Sequence, residues 1–107
     1  MKDLLQMVVI GAVISGLALM VVRPYRVSGN SMEPNFHDGQ VVIINKLAKP
    51  GVGDVVVFKY GNADLLKRII RPEEEGWWVE GDNKEFSTDS RSFGSVPYGA
   101  IVGKVGI

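Results

Sequence analysis

The stretch that decides the fold is Asp54-Val55-Val56-Val57-Phe58-Lys59-Tyr60-Gly61-Asn62-Ala63-Asp64-Leu65-Leu66-Lys67-Arg68-Ile69-Ile70. It contains two short apolar runs, 54–60 and 65–70, and the turn-forming pair Gly61-Asn62 lies between them. Short runs rich in β-branched and aromatic residues predict β-strands. Three further runs of this kind occur at 40–45, 76–80 and 100–105.

Five such runs predict a mainly β domain, a small barrel or sandwich, over residues 25–107. No helical periodicity of useful length follows residue 24. The connection 81–99 carries no predicted element and is long for so small a domain. Long structureless connections in compact domains are more often functional than idle, so we expect this one to contribute to a site.

A run of 19 residues without a charge, Leu4 to Val22, precedes the β-rich part. As a helix it would span about 29 Å, close to the roughly 30 Å thickness of the hydrocarbon core of a bilayer. A cleaved secretory signal is the alternative, but the run ends without the Ala-x-Ala pattern that cleavage needs. We therefore expect residues 1–24 to form one transmembrane anchor.

Composition excludes several classes of function. The 107 residues include 12 basic and 12 acidic side chains, and without a clustered basic surplus a nucleic-acid partner is not expected. The absence of cysteine excludes a disulfide scaffold and a thiolate zinc site. With His37 as the single histidine, a multi-histidine metal site is excluded too, and we expect no metal or cofactor.

Two nucleophile and base pairs remain, a serine with His37 or a serine with a lysine. A lysine base must be buried, because its ordinary pKa near 10.4 keeps it protonated at neutral pH. In the predicted strand, Lys67 lies on the same face as Leu65 and Ile69. Its amine can therefore be buried among apolar side chains, or it can reach solvent at the edge of the strand. Ser31 follows the flexible pair Gly29-Asn30 and precedes Pro34, a setting that presents a hydroxyl on a tight turn.

Four blocks of sequence occur in a fixed order along the chain. They are Ser28-Gly29-Asn30-Ser31-Met32-Glu33-Pro34, Gly53-Asp54-Val55-Val56-Val57-Phe58, Lys67-Arg68-Ile69-Ile70 and residues 81–97, which begin Gly81-Asp82-Asn83 and include Ser87-Thr88-Asp89-Ser90-Arg91. In this order they resemble the type I signal peptidases, the S26-like membrane-anchored serine proteases of the Ser/Lys class. The resemblance extends over almost all of residues 4–105 and implies a small signal-peptidase-like catalytic domain behind a membrane anchor.

The resemblance implies that Ser31 is the nucleophile and Lys67 the general base, with an acyl-enzyme on Ser31. It implies that Ser87 orients the lysine amine, and that Asp89 and Arg91 form a structural ion pair. The backbone N–H of Ser31 is the expected oxyanion donor. Some members add a serine hydroxyl two residues earlier, where this sequence has Gly29 with Ser28 one place off, so a side-chain donor stays open.

Substrates of the resembled family carry small residues, typically Ala-x-Ala, before the cleaved bond. The positions that match its shallow pockets are Tyr25, Val27, Met32, Phe36 and Leu66. The implied partners are precursors bearing signal peptides and the lipid bilayer. The resemblance puts the catalytic domain on the outer face of a bacterial-type cytoplasmic membrane, whereas Arg23 and Arg26 by positive-inside counting favour the opposite orientation.

Two alternatives differ from a general signal peptidase. A dedicated maturation peptidase for one precursor, of the type proposed for nickel superoxide dismutase, would use the same chemistry. A non-catalytic anchored β-domain that binds peptides would not need Ser31, Lys67 and Ser87 together. Gene neighbourhood distinguishes the first alternative and a cleavage assay the second.

Overall fold

The structure, a computed structural model, describes residues 2–106; residues 1 and 107, the outer limits of the two predicted domains, lie outside it. An N-terminal helix is followed by short strands and turns. The helices and strands are α1 Lys2–Val21, β1 Val22–Arg26, β2 Val41–Asn45, β3 Val55–Tyr60, β4 Ala63–Pro72, β5 Gly76–Glu80, α2 Ser90–Phe93, β6 Val96–Pro97 and β7 Ile101–Val105. The strands form one antiparallel sheet in the order β1-β2-β7-β3-β4-β5-β6.

The prediction of a mainly β fold is confirmed. The five predicted strands correspond to β2, β3, β4, β5 and β7, with ends that shift by one or two residues. The sequence did not predict β1, which contains Pro24 and two arginines, or β6, which has two residues. Both lie at the edges of the sheet, where a proline without an N–H is tolerated because no neighbour needs it.

The expectation that residues 81–99 lack regular structure is wrong. This connection contains a 3₁₀ turn, Lys84–Phe86, as well as α2 and β6. Asp89 caps α2 by accepting a hydrogen bond from the backbone N–H of Arg91 at 3.2 Å. Such short elements carry no periodic pattern, so side-chain hydrogen bonds rather than apolar spacing determine them.

Both faces of β3 are buried, which explains the unbroken apolar run in its sequence. Val55 and Val57 contribute to one core cluster, and Val56 and Phe58 contribute to a second cluster. Successive side chains of a strand point to opposite faces, so one strand can serve two cores. The first cluster also contains Val27, Met32, Val42, Ile44 and Leu66; the second also contains Ile69, Val79 and Val96.

Helix α1 covers most of the predicted anchor and ends where β1 begins. The backbone N–H of Lys46 donates to the carbonyl of Val21 at 2.7 Å and joins the end of the helix to the sheet. Residues 22–24, which were predicted to belong to the anchor, lie in β1. Within the described part of the chain, no helix combines the length and the apolar character of a membrane span.

Candidate active site

Ser31 lies on a tight turn just beyond β1. The turn is closed by hydrogen bonds from the N–H groups of Asn35 and Phe36 to the carbonyl of Met32, at 3.0 and 2.9 Å. The Met32 side chain is 1% exposed and packs in the first core cluster. The neighbour of Ser31 therefore anchors the turn, while Ser31 itself is only half-buried.

Lys67 lies in the middle of β4, and the structure brings it to Ser31. The Nζ of Lys67 is 2.7 Å from the Oγ of Ser31, although the two residues are 36 positions apart in the sequence. Lys67 is 5% exposed, and this burial lowers the pKa of its amine, while the negative charge of Asp89 opposes the shift. A buried, hydrogen-bonded lysine next to a hydroxyl has the geometry of a nucleophile and its base.

Asp89 is fully buried and accepts hydrogen bonds from several donors. Its carboxylate receives a bidentate contact from Arg91, with both N···O distances at 2.9 Å. The Ser87 hydroxyl donates to it at 2.7 Å and the Gly81 N–H at 2.8 Å. Burial works to raise the pKa of Asp89, but the hydrogen bonds from Arg91, Ser87 and Gly81 outweigh it and hold the pKa far below its usual value.

Ser87 reaches the site through Asp89 rather than through the lysine. Within residues 2–106, the Ser87 hydroxyl has no hydrogen bond to Lys67, and its partner is the Asp89 carboxylate. Asp89 in turn acts on Lys67 through its charge. The predicted role of Ser87 in orienting the lysine stays a prediction.

Gly81 is a site residue that we did not predict. A Cβ atom built on it would collide with the side chain of Ser87 and approach the carbonyl oxygen of Ser31 to 2.6 Å. Ser31 and Ser87 are therefore close on either side of a position that only glycine can occupy. The sequence signal was the Gly81-Asp82-Asn83 run directly after a predicted strand.

Asp82 and Asn83 also contact the turn that carries Ser31. The Asn83 N–H donates to the Ser31 carbonyl at 2.8 Å, and its side-chain amide donates to the Asn30 carbonyl at 3.0 Å. The N–H of Asp82 approaches the Met32 sulfur at 3.4 Å. Residues 81–83, which directly follow β5, thus hold the turn that carries Ser31 in place.

A groove of about 200 Å³ opens beside Ser31 and Lys67. Four of the five predicted pocket residues line it: Tyr25, Val27, Met32 and Leu66. The fifth, Phe36, is not part of this lining and packs against the first core cluster. The remaining lining residues are Ser28, Ala63, Asp64 and Leu65.

Two backbone N–H groups near the groove differ in availability. The Gly29 N–H donates to the Asp38 carboxylate at 2.8 Å and is occupied. The Ser31 N–H has no hydrogen-bond acceptor within residues 2–106, so it can serve an incoming oxygen. Ser28, rather than Gly29, contributes to the lining of the groove.

His37 lies outside the groove. Its Nδ1 is 2.7 Å from a carboxylate oxygen of Glu33, and its side chain is 65% exposed. The pairing of a serine with His37 therefore has no geometric support in the described residues.

Comparison with known proteins gives a family match and several similar proteins. Residues 1–71 match the family described as "Signal peptidase, peptidase S26". The chain is 37% identical over 81 residues to mitochondrial inner membrane protease subunit 1 of Xenopus tropicalis, covering 66% of this chain and 48% of that protein. It is 31% identical over 105 residues to the protein of the same name from Homo sapiens, covering 73% and 63%. It is 35% identical over 98 residues to signal peptidase IB of Staphylococcus aureus (strain Mu50), covering 83% and 48%. The chain thus spans about half to three-fifths of the length of these relatives.

Proposed function

Because this chain belongs to the signal peptidase family, peptidase S26, we propose that it is a membrane-bound serine endopeptidase that removes signal peptides from exported proteins. The observation that carries the proposal is the 2.7 Å contact between the Ser31 hydroxyl and the amine of the buried Lys67. A module that only binds peptides has no need of a desolvated lysine against a serine.

In the proposed reaction, the neutral amine of Lys67 takes the proton of Ser31 as its Oγ attacks the scissile carbonyl carbon. The tetrahedral intermediate collapses when this proton passes to the leaving amine, and the signal peptide stays on Ser31 as an ester. Lys67 then takes a proton from a water molecule whose oxygen attacks the ester carbon, and when the bond to Oγ breaks this proton passes from Lys67 to Oγ, so that the cleaved signal peptide leaves as an acid and Ser31 and the neutral lysine are restored. The backbone N–H of Ser31 donates to the oxyanion in both steps.

Burial is what allows a lysine to act at neutral pH. The charged form loses hydration in the interior, so a larger fraction of the amine is neutral than in an exposed lysine. The Asp89 carboxylate partly offsets this effect. We propose that the balance keeps the amine neutral enough to accept a proton and basic enough to hold it.

The proposed substrate lies extended along β4. Within the described residues β5 pairs with β4 only from Arg68 to Pro72, so the edge of residues 63–67 is open toward the groove. A peptide can add to such an edge by backbone hydrogen bonds. The small groove favours small side chains such as alanine before the cleaved bond.

We place this activity at a membrane, with the catalytic domain on the extracytoplasmic face. The human and frog relatives are named as inner membrane proteases. Helix α1 exposes large apolar side chains, among them Leu4 at 67% and Met7 at 69%, which a lipid environment would cover. A single membrane crossing by residues 1–24 stays a prediction.

The experiment that tests the proposal is cleavage of a leader peptide with an Ala-x-Ala site by the full chain in neutral detergent. We expect cleavage after the second alanine and little cleavage of a Leu-x-Leu analogue. Lys67→Ala is expected to reduce the rate to background, whereas Lys49→Ala, which changes an exposed lysine outside the groove lining, is expected to cleave like the wild type. Equal rates for Lys67→Ala and Lys49→Ala would refute the lysine base.

A further inference from the structure

Arg68 follows Lys67 on β4 and points to the opposite face of the strand. Its guanidinium forms a bidentate contact with the Asp82 carboxylate, with both N···O distances at 2.8 Å. A third hydrogen bond, also 2.8 Å, goes to the Gly53 carbonyl. The planar fork of an arginine holds a carboxylate in one orientation, so Asp82 is fixed to the strand that carries Lys67.

The same carboxylate reaches the turn that carries Ser31. The side-chain amide of Asn35 donates to Asp82 at 2.9 Å, across 47 positions of sequence. Asn35 is itself part of the turn, because its N–H closes on the Met32 carbonyl at 3.0 Å. The Asp82 side chain is 11% exposed, so it is largely shielded from water.

From these contacts we infer that Asp82 and Asn35 are positioning residues, which hold the turn of Ser31 at hydrogen-bonding distance from Lys67. The inference rests on the Ser/Lys mechanism proposed above. The Asp82 carboxylate binds Arg68, the residue next to Lys67, and it also binds Asn35 in the turn that carries Ser31. Neither Asp82 nor Asn35 lines the groove, so both act through Ser31 and Lys67 rather than on the substrate.

Breaking this bridge has a specific chemical consequence. Small displacements of a nucleophile from its base are costly in rate, because proton transfer needs near-contact geometry. A turn that moves away from β4 also admits water to Lys67, which removes part of the desolvation that lowers the pKa of the amine. Loss of the bridge should therefore lower kcat and raise the apparent pKa of the base, with KM unchanged.

The test is a set of variants in the full chain. Asn35→Ala removes the hydrogen bond to a charged group, and we expect kcat to fall about tenfold to a hundredfold. Asn35→Asp sets two carboxylates against each other and is expected to be at least as slow. Asn35→Gln keeps a side-chain amide that can donate to the Asp82 carboxylate and leaves the Arg68–Asp82 pair intact, and we expect it to retain more of the wild-type kcat than Asn35→Ala.

The control is Tyr98→Phe, which removes one long-range hydrogen bond, 2.8 Å from the Tyr98 hydroxyl to the Glu73 carbonyl, away from the groove. We expect it to leave kcat and the pH profile unchanged. The inference is overturned if Asn35→Ala has the kcat and pH profile of the wild type. It is also overturned if Asn35→Gln folds and is no faster than Asn35→Ala, or if Tyr98→Phe reproduces the kinetic changes.

A second readout separates this inference from the proposed function. Titration of the Lys67 amine, followed by nuclear magnetic resonance of isotope-labelled lysine side chains, needs no turnover. Asn35→Ala should raise the pKa of that amine even if the substrate is not a signal peptide. An unchanged Lys67 titration in Asn35→Ala overturns the positioning role, whereas failure of the proposed function appears only in the cleavage assay.

Discussion

The Oγ of Ser31 lies 2.7 Å from the Nζ of Lys67, a lysine that is only 5% exposed. One of the two residues lies on a turn and the other on a central strand, and the surrounding contacts hold them together.

Gly81→Ala should damage the site directly. The added Cβ would collide with the side chain of Ser87 and press on the carbonyl of Ser31, so the nucleophile must shift. We expect a loss of kcat of at least tenfold and a loss of stability of about 1–3 kcal/mol, the usual cost of overpacking. Gly99→Ala is the control, because its Cβ would meet nothing within 4 Å. Comparable kcat values for the two variants would argue against the close packing of Ser31 and Ser87.

The pH dependence of kcat/KM should follow a depressed lysine. Because burial lowers the pKa of Lys67, the rate should rise with pH and level off below the ordinary lysine value of about 10.4. A pH–rate profile of the full chain in detergent checks this. A single rise centred near 10.4 would show that the base is not Lys67 in its buried state.

The same shift predicts a change of stability. A lysine whose folded pKa lies below its unfolded pKa destabilises the fold at low pH, and this penalty disappears as pH rises through the window between the two values. Lys67→Met removes the penalty. We expect this variant to be inactive but to have a higher free energy of unfolding than the wild type at neutral pH, with the difference shrinking above pH 10. A less stable Lys67→Met at neutral pH would contradict the prediction.

Arg91→Ala should expose the cost of the buried Asp89 carboxylate. In the wild type the depressed pKa of Asp89 contributes stability above its unfolded value of about 3.9, and this is lost as pH falls through the folded value. Without Arg91 that contribution is smaller. We expect the difference in melting temperature between Arg91→Ala and the wild type to be largest above pH 4 and to narrow in acid. A difference that stays constant with pH would assign another role to Arg91.

Tyr25 should limit the size of the side chain that the groove accepts. It lines the groove, and its hydroxyl donates to the Asp64 carbonyl at 3.1 Å. Tyr25→Ala removes this wall, and we expect cleavage of a Leu-containing leader relative to an Ala-containing one to rise about tenfold, the effect of one or two methylenes in a pocket. Phe36→Leu changes a residue outside the lining and should lower stability without changing this ratio. A change of the ratio in Phe36→Leu but not in Tyr25→Ala would reverse the two assignments.

Much of the fold was predictable because it depends on local apolar patterns. The run 54–60 predicted β3, and alternation predicted that Lys67 and Arg68 point to opposite faces of β4. Their neighbours Leu66 and Ile69 follow the same alternation, because they belong to different core clusters. The edge strand β1 was missed because it contains Pro24 and two arginines, which are not the β-branched and aromatic residues that predict a strand. The bridge from Asp82 to Asn35 was missed because a hydrogen bond across 47 positions leaves no trace in local spacing.

Nucleophilic attack by Ser31 is tested by cleavage of the Ala-x-Ala leader by Ser31→Ala, compared with Ser92→Ala, a change at an exposed serine. We expect background cleavage for Ser31→Ala and wild-type cleavage for Ser92→Ala. Cleavage by Ser31→Ala at the wild-type rate would contradict nucleophilic attack by Ser31, because no other described serine has its hydroxyl hydrogen-bonded to Lys67.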